Sequence, residues 1–211
     1  MGPPYIGKRS FIARYTSRSS FPSPRDTIPP TFQRVHVPRL GVTVECWHTA
    51  GQERFCFLPP LYYRDAAIVL FAFDLSEPDV DGTSFPKLLR WWDEAHEHAP
   101  NLGAFPAEVI VGLKADLVDN GTAKDRMDRI RNALEQELCH VRCQRRNLEE
   151  VGCFNTSAKN GLNVAECIEY AAEAAVNGSQ ARTHKGSVRL PTDLAIARKH
   201  NPVDSASRCW C

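Results

Sequence analysis

Two hydrophobic rhythms alternate along the chain. Residues 42–47 and 67–74 are short apolar runs rich in β-branched and aromatic side chains. Residues 108–113 repeat that pattern and 151–155 form a weaker fourth run. Runs of this length and composition predict buried strands. Between and after them, apolar residues return at every third or fourth position. Met127, Ile130, Leu134 and Leu138 share one helical face, as do Val164, Ile168, Ala171 and Ala175. Thr122 with Asp125 offers a capping box for the first of these helices, and Asn160-Gly161 is placed to open the second. Alternation of strand and helix predicts an α/β fold: an open, mostly parallel, doubly wound sheet with helices on both faces.

Two segments break the rhythm. Residues 17–32 are rich in Ser and Pro and cannot hold a helix. An irregular stretch of that length inside a compact domain predicts a functional loop. From Asn177 onward the periodicity fades into Gly, Ser, Arg, His and Pro. Residues 177–211 carry six Lys or Arg against two Asp, so a flexible basic tail is expected after a domain spanning 1–176. A short helical piece fits residues 194–199.

Composition narrows the class. The chain has 211 residues, 43% apolar and 24% charged, enough for one domain with a real core. Lys plus Arg number 26 and Asp plus Glu 25, so no bulk field draws nucleic acid. Residues 66–73 form the longest apolar run, less than half a bilayer span. Met-Gly-Pro-Pro-Tyr at the start has no apolar stretch behind a basic one, and Pro3 and Ile6 do not fit a myristoylation signal. A soluble intracellular protein is the expectation. Six of the eight cysteines (46, 56, 139, 143, 153, 167) are then reduced core thiols. Cys139, His140 and Cys143 lie a helical turn apart, but no second pair stands at ligand spacing, which argues against zinc.

Four motifs carry the candidate chemistry. Gly2-x4-Gly7-Lys8 precedes a helical stretch, where backbone N–H groups and a lysine can meet phosphate. Residues 47–55 read Trp-His-Thr-Ala-Gly-Gln-Glu-Arg-Phe, directly after a strand. Gly112-Leu113-Lys114-Ala115-Asp116 ends another strand, and Thr156-Ser157-Ala158-Lys159 follows the weak one. This order resembles the Ras superfamily of small GTPases, with Rab-like details. Thr27 stands 19 residues after Lys8, Tyr62-Tyr63-Arg64 follows the second motif, and the chain ends Cys209-Trp210-Cys211.

The resemblance implies GTP or GDP with Mg²⁺ as cofactors, and a role for each matching residue. Gly2, Gly7 and Lys8 would cradle phosphate, Gly51 would offer its N–H to the γ-phosphate, and Thr27 would close on the metal. Gln52 would orient the attacking water. Asp116 would accept hydrogen bonds from the guanine edge, with the stem of Lys114 along the base. The Ala158 N–H would meet the guanine carbonyl, with Ser157 and Lys159 completing that motif. Cys209 and Cys211 would be the lipidation sites. Implied partners are effectors and regulators at the switch regions, the prenylation machinery and a membrane reached through the tail, with no nucleic acid. The implied location is the cytoplasmic face of intracellular membranes, with a cytosolic pool.

Departures from the family pattern are concentrated on the metal. Arg9 replaces the hydroxyl residue that ligates Mg²⁺, and His48 replaces the aspartate behind a metal-bound water. Leu113 replaces an asparagine of the base motif, and Tyr5 a loop glycine. The strand expected before the phosphate loop, normally in the middle of the sheet, has only Met1 to form it. Three readings follow: a membrane-anchored switch in vesicle traffic with impaired hydrolysis, a prenylated non-catalytic adaptor, or a truncated gene model of an active relative. Leu113 also reads as a plain strand residue if no nucleotide binds, Arg9 as a solvated helix residue and Asp116 as a cap of the following turn.

Overall fold

The computed structural model describes residues 2–3, 5–17, 31–48, 66–77, 84–97, 107–141, 151–183 and 206–210. Its centre is β3 (Ile68–Asp74), in which every side chain is buried. Alternate residues serve opposite faces, as the two-residue period of a strand requires. Ile68, Leu70 and Ala72 join one core cluster, while Val69, Phe71 and Phe73 join the other. Two helices cover the first face: α1 (Lys8–Ser17) contributes Phe11 and Ile12, and α4 (Val164–Thr183) contributes Val164, Ile168, Ala171 and Ala175. The second face is closed by α2 (Ser84–Glu97) with Leu88, Trp91 and Trp92, and by α3 (Asn120–Val141) with Met127, Ile130 and Leu134. Phe71 meets the Trp92 ring at 4.5 Å between centroids. Truncating a buried aromatic of this kind costs about 3–5 kcal/mol.

Six strands lie in the order β1 (Thr31–Val37), β2 (Val42–His48), β6 (Ala206–Trp210), β3, β4 (Ala107–Leu113) and β5 (Gly152–Asn155). β1 (Thr31–Val37) runs antiparallel to β2 (Val42–His48), with Val37 opposite Val42. The short link between them is a 3-10 turn at Pro38–Leu40, closed by Gly41. Gly41 takes φ 63°, a left-handed conformation open to glycine without steric cost, and donates its N–H to the Pro38 carbonyl at 3.2 Å. Arg39 on this turn reaches Glu169 at 2.8 Å and Glu173 at 2.6 Å, clamping the hairpin to α4. The Glu173 carboxylate holds the guanidinium in its charged form, raising its pKa. β4 (Ala107–Leu113) and β5 (Gly152–Asn155) continue the sheet in parallel from β3.

The open, mostly parallel sheet expected from the strand–helix alternation is therefore present, with several differences in its parts. β1 begins inside the stretch read as irregular, and α2 had no counterpart in the periodicity analysis. α3 starts at Asn120, capped by Asp119 rather than Thr122: Asp119 Oδ1 accepts the Thr122 N–H at 2.9 Å and its Oδ2 the Thr122 hydroxyl at 2.6 Å. These bonds hold the Asp119 carboxyl below the usual carboxylate range. α4 continues through Thr183, past the expected boundary at 176. The 194–199 piece lies outside the described residues.

The largest difference is in the middle of the sheet. β6 (Ala206–Trp210), from the segment read as a flexible tail, lies parallel between β2 and β3. The position expected to be vacant is filled from the other end of the chain.

Candidate functional site

The site forms where β3, β4 and β5 end, as expected for ligands of open α/β sheets. Its phosphate side is the loop before α1. Gly2 takes φ 148°, and a Cβ there would lie 2.1 Å from the Ala72 carbonyl oxygen, so only glycine lets the loop pass against β3. Gly7 takes φ 98° and its carbonyl accepts the Phe11 N–H at 3.0 Å, opening α1. Between them the exposed Tyr5 holds φ 62°. A bulky residue in that conformation costs about 1–2 kcal/mol, where glycine would cost nothing. Lys8 is buried and its Nζ donates to the Gly2 and Pro3 carbonyls at 2.8 and 2.6 Å. The ammonium thus sits inside the curve of the loop. Arg9, the next residue, is exposed.

The base side is a pair of linked ion and hydrogen-bond contacts. Lys114 stands in the left-handed region at φ 61°, directly after β4, and its Nζ lies 2.5 Å from Asp74 Oδ2. Asp74 is buried at the end of β3, and its Oδ1 accepts the Ser76 N–H at 2.8 Å and the Ser76 hydroxyl at 2.6 Å. Asp116 accepts the Ser157 hydroxyl at 2.5 Å and has Lys159 Nζ at 3.8 Å. Below them the Thr156 N–H and hydroxyl both donate to the Gly112 carbonyl, at 2.7 and 3.0 Å. The Ala115 N–H donates to the Thr156 carbonyl at 3.0 Å. The third and fourth motifs are thereby stitched into one surface, and β3 joins the two halves: Ala72 abuts the loop and Asp74 holds Lys114.

Most candidates with described positions converge. Gly2, Gly7 and Lys8 form one half; Lys114, Asp116, Ser157, Ala158 and Lys159 form the other. Leu113 is buried within the first core cluster. His48 closes β2, with its side chain outside the described residues. Thr27, Gly51, Gln52, Tyr62, Tyr63, Arg64 and Cys211 lie outside them too, and Cys209 stands in β6. Cys56 and Cys143 also fall outside; Cys46 and Cys167 are buried, and Cys153 is a half-buried thiol whose pKa burial raises. Among the described residues no cluster of three or more His, Cys, Asp or Glu could hold a metal, and no helix is long and apolar enough to cross a membrane. Sequence reasoning missed Asp74. Its signal was a carboxylate ending an apolar run and followed by Leu-Ser, the composition of an Asx turn.

A guanine ring fits this donor set. Asp116 is a carboxylate aimed by a buried serine, and Lys114 is held upright by a buried one. Magnesium does not fit position 9, because a guanidinium has no lone pair to give a cation.

Comparison with known proteins agrees with this geometry. The Ras family model matches residues 1–177. The GTP-binding protein YPT53 of Saccharomyces cerevisiae is 31% identical over 194 residues, covering 89% of this chain and 81% of its own length. The GTP-binding protein YPTM1 of Zea mays is 29% identical, covering 99% of this chain and 92% of its own. Human Ras-related protein Rab-15 is 23% identical, covering 100% and 94%. With a family match across its body and Rab and Ypt relatives along its length, this chain belongs to the Ras family as a Rab-type small GTPase.

Proposed function

We propose that this chain is a guanine-nucleotide-binding switch in vesicle traffic, anchored to membranes by lipid on Cys209 and Cys211, in which GTP hydrolysis is impaired. The observation that carries the reading is the contrast between the two sides of one site. The base side keeps Lys114, Asp116 and Ser157, with Asp74 and Ser157 fixing the first two. On the phosphate side an exposed arginine stands at position 9.

Two bidentate-capable oxygens on Asp116 select guanine, because an adenine edge presents no matching pair of donors. Lys114 lays its stem along the base, and its charge is neutralised by Asp74 rather than by solvent alone. Gly2, Gly7 and Lys8 would hold the phosphates, with the ammonium exchanging two carbonyl acceptors for phosphate oxygens. In the family a magnesium ion supplies charge neutralisation between the β and γ phosphates. Arg9 contributes a fixed positive charge instead, which favours bound nucleotide but provides no metal ligand. Gln52 would orient the attacking water, as the family resemblance implies.

A second reading, a prenylated adaptor that does not turn over nucleotide, is favoured by Lys8, whose ammonium is already engaged by its own loop. Release of a fluorescent GDP with and without EDTA, together with single-turnover GTP hydrolysis, tests the proposal. Chelation should change release less than about twofold, and the paired change Arg9→Ser with His48→Asp should restore sensitivity. Sharp acceleration by EDTA in the unmutated protein would overturn the weakened-metal reading, and absence of any saturable binding would favour the adaptor.

A further inference from the structure

The tail strand occupies the most consequential position in the sheet. Cα partners run from Thr43 and Ala206 to Trp47 and Trp210 on one side, and pair Ile68 with Cys209 and Val69 with Trp210 on the other. Both pairings are parallel, and α4 packs against β6. In the strand order, β6 is what joins the β1–β2 hairpin to β3, β4 and β5. An interior strand satisfies N–H and C=O groups on both neighbours, so its departure would leave β2 and β3 each with an unpaired edge. The segment Ala-Ser-Arg-Cys-Trp contains neither Pro nor Gly, as an interior strand demands. Residues 184–205, which link it to α4, reach about 70 Å when extended. Six strands span only about 24 Å from first to last. The linker is thus long enough for the segment to leave and return.

Cys209 stands in register between Cys46 and Ile68, which are 1% and 0% exposed. We propose that Ala206–Trp210 is a releasable latch: seated in the sheet it completes the GTPase body and withholds Cys209 from lipidation. Released, it frees Cys209 and divides the sheet, so lipidation of Cys209 and sheet closure compete for the same residues. The lipid half of this inference rests on the anchoring reading above; the strand half does not. Lipidation joins the Cys209 sulfur to the first carbon of a prenyl diphosphate, with diphosphate leaving and the thiol proton passing to solvent. That reaction needs the segment outside the sheet, because the backbone at Cys209 and Trp210 is paired on both sides while docked.

Hydrogen exchange on the full chain, unlipidated and lipidated, tests both halves. In the unlipidated chain the amides of residues 207–210 should exchange about a thousandfold more slowly than in an unstructured peptide, as should those of Leu70 and Phe71. Exchange within tenfold of the unstructured rate would overturn the strand assignment. Arg208→Pro, which removes an N–H from the strand, should lower the denaturation midpoint or abolish folding, while Arg208→Ala should not; equal midpoints would overturn it as well. In chain prenylated by a eukaryotic host, residues 207–210 should lose their protection. Retained protection would overturn the competition. Absence of prenyl mass even from Arg208→Pro, whose tail the sheet no longer holds, would overturn the anchoring reading alone, leaving the strand assignment to the exchange result.

Discussion

Replacing Asp74 with Asn tests how the base side is held. The Asp74 side chain is 5% exposed and accepts three hydrogen bonds, two from Ser76 and one from Lys114 at 2.5 Å. Asparagine preserves the shape but loses the charge, and its amide turns one acceptor into a donor facing either Ser76 or Lys114. A hydrogen bond to a charged partner contributes about 1.5–3 kcal/mol. Lys114 is 35% exposed, so solvent screens part of that contribution, and about 1–2 kcal/mol is the expected coupling. Urea unfolding of the parent, Asp74→Asn, Lys114→Met and the double variant gives the coupling from the cycle. The m-value should stay constant, since no surface is newly exposed. Guanine-nucleotide affinity should fall with stability in Asp74→Asn, by about tenfold, because Lys114 loses the group that orients it. A coupling below about 0.3 kcal/mol with unchanged affinity would refute the claim that Asp74 positions Lys114.

Other outcomes follow from single contacts. Asp116→Asn should shift nucleotide preference from guanine toward xanthine, read by competition with the two diphosphates; unchanged preference would remove Asp116 from the base site. Asp119→Ala should lower the midpoint of thermal unfolding at neutral pH. Because the folded carboxyl titrates below its unfolded range, the contribution of the cap is full above that range and disappears as pH falls through the folded value. The gap between parent and variant midpoints should therefore close in acid, and a gap independent of pH would contradict the cap. Cys209→Ser with Cys211→Ser should move the protein from the membrane fraction to the cytosol, and membrane association that survives the change would exclude these cysteines as the anchor.

Much of the architecture was legible because it rests on local periodicity. β2, β3, β4 and α3 each carry their period within one contiguous stretch, and β5 was weak because it is short. β1 was obscured by the Pro-rich segment running into it, although Val35 and Val37 alternate with polar neighbours. α2 could have been found from Leu88, Trp91, Trp92 and Ala95, which share one face at helical spacing. β6 could not, since five residues of mixed character acquire strand identity only from their neighbours in the sheet. The base motif was legible because its residues lie on two short contiguous stretches. Asp74 was not, because its partner is distant in sequence and only the meeting of β3 with β4 brings them together.

The role proposed for the surface built by Lys114, Asp116 and Ser157 is to read guanine. Displacement of a fluorescent GDP from the purified chain by unlabelled GTP, GDP and ATP measures this directly. GTP and GDP should compete at similar concentrations while ATP competes at least about a hundredfold less well, a difference of about 2.7 kcal/mol. Equal competition by ATP and GTP would contradict it.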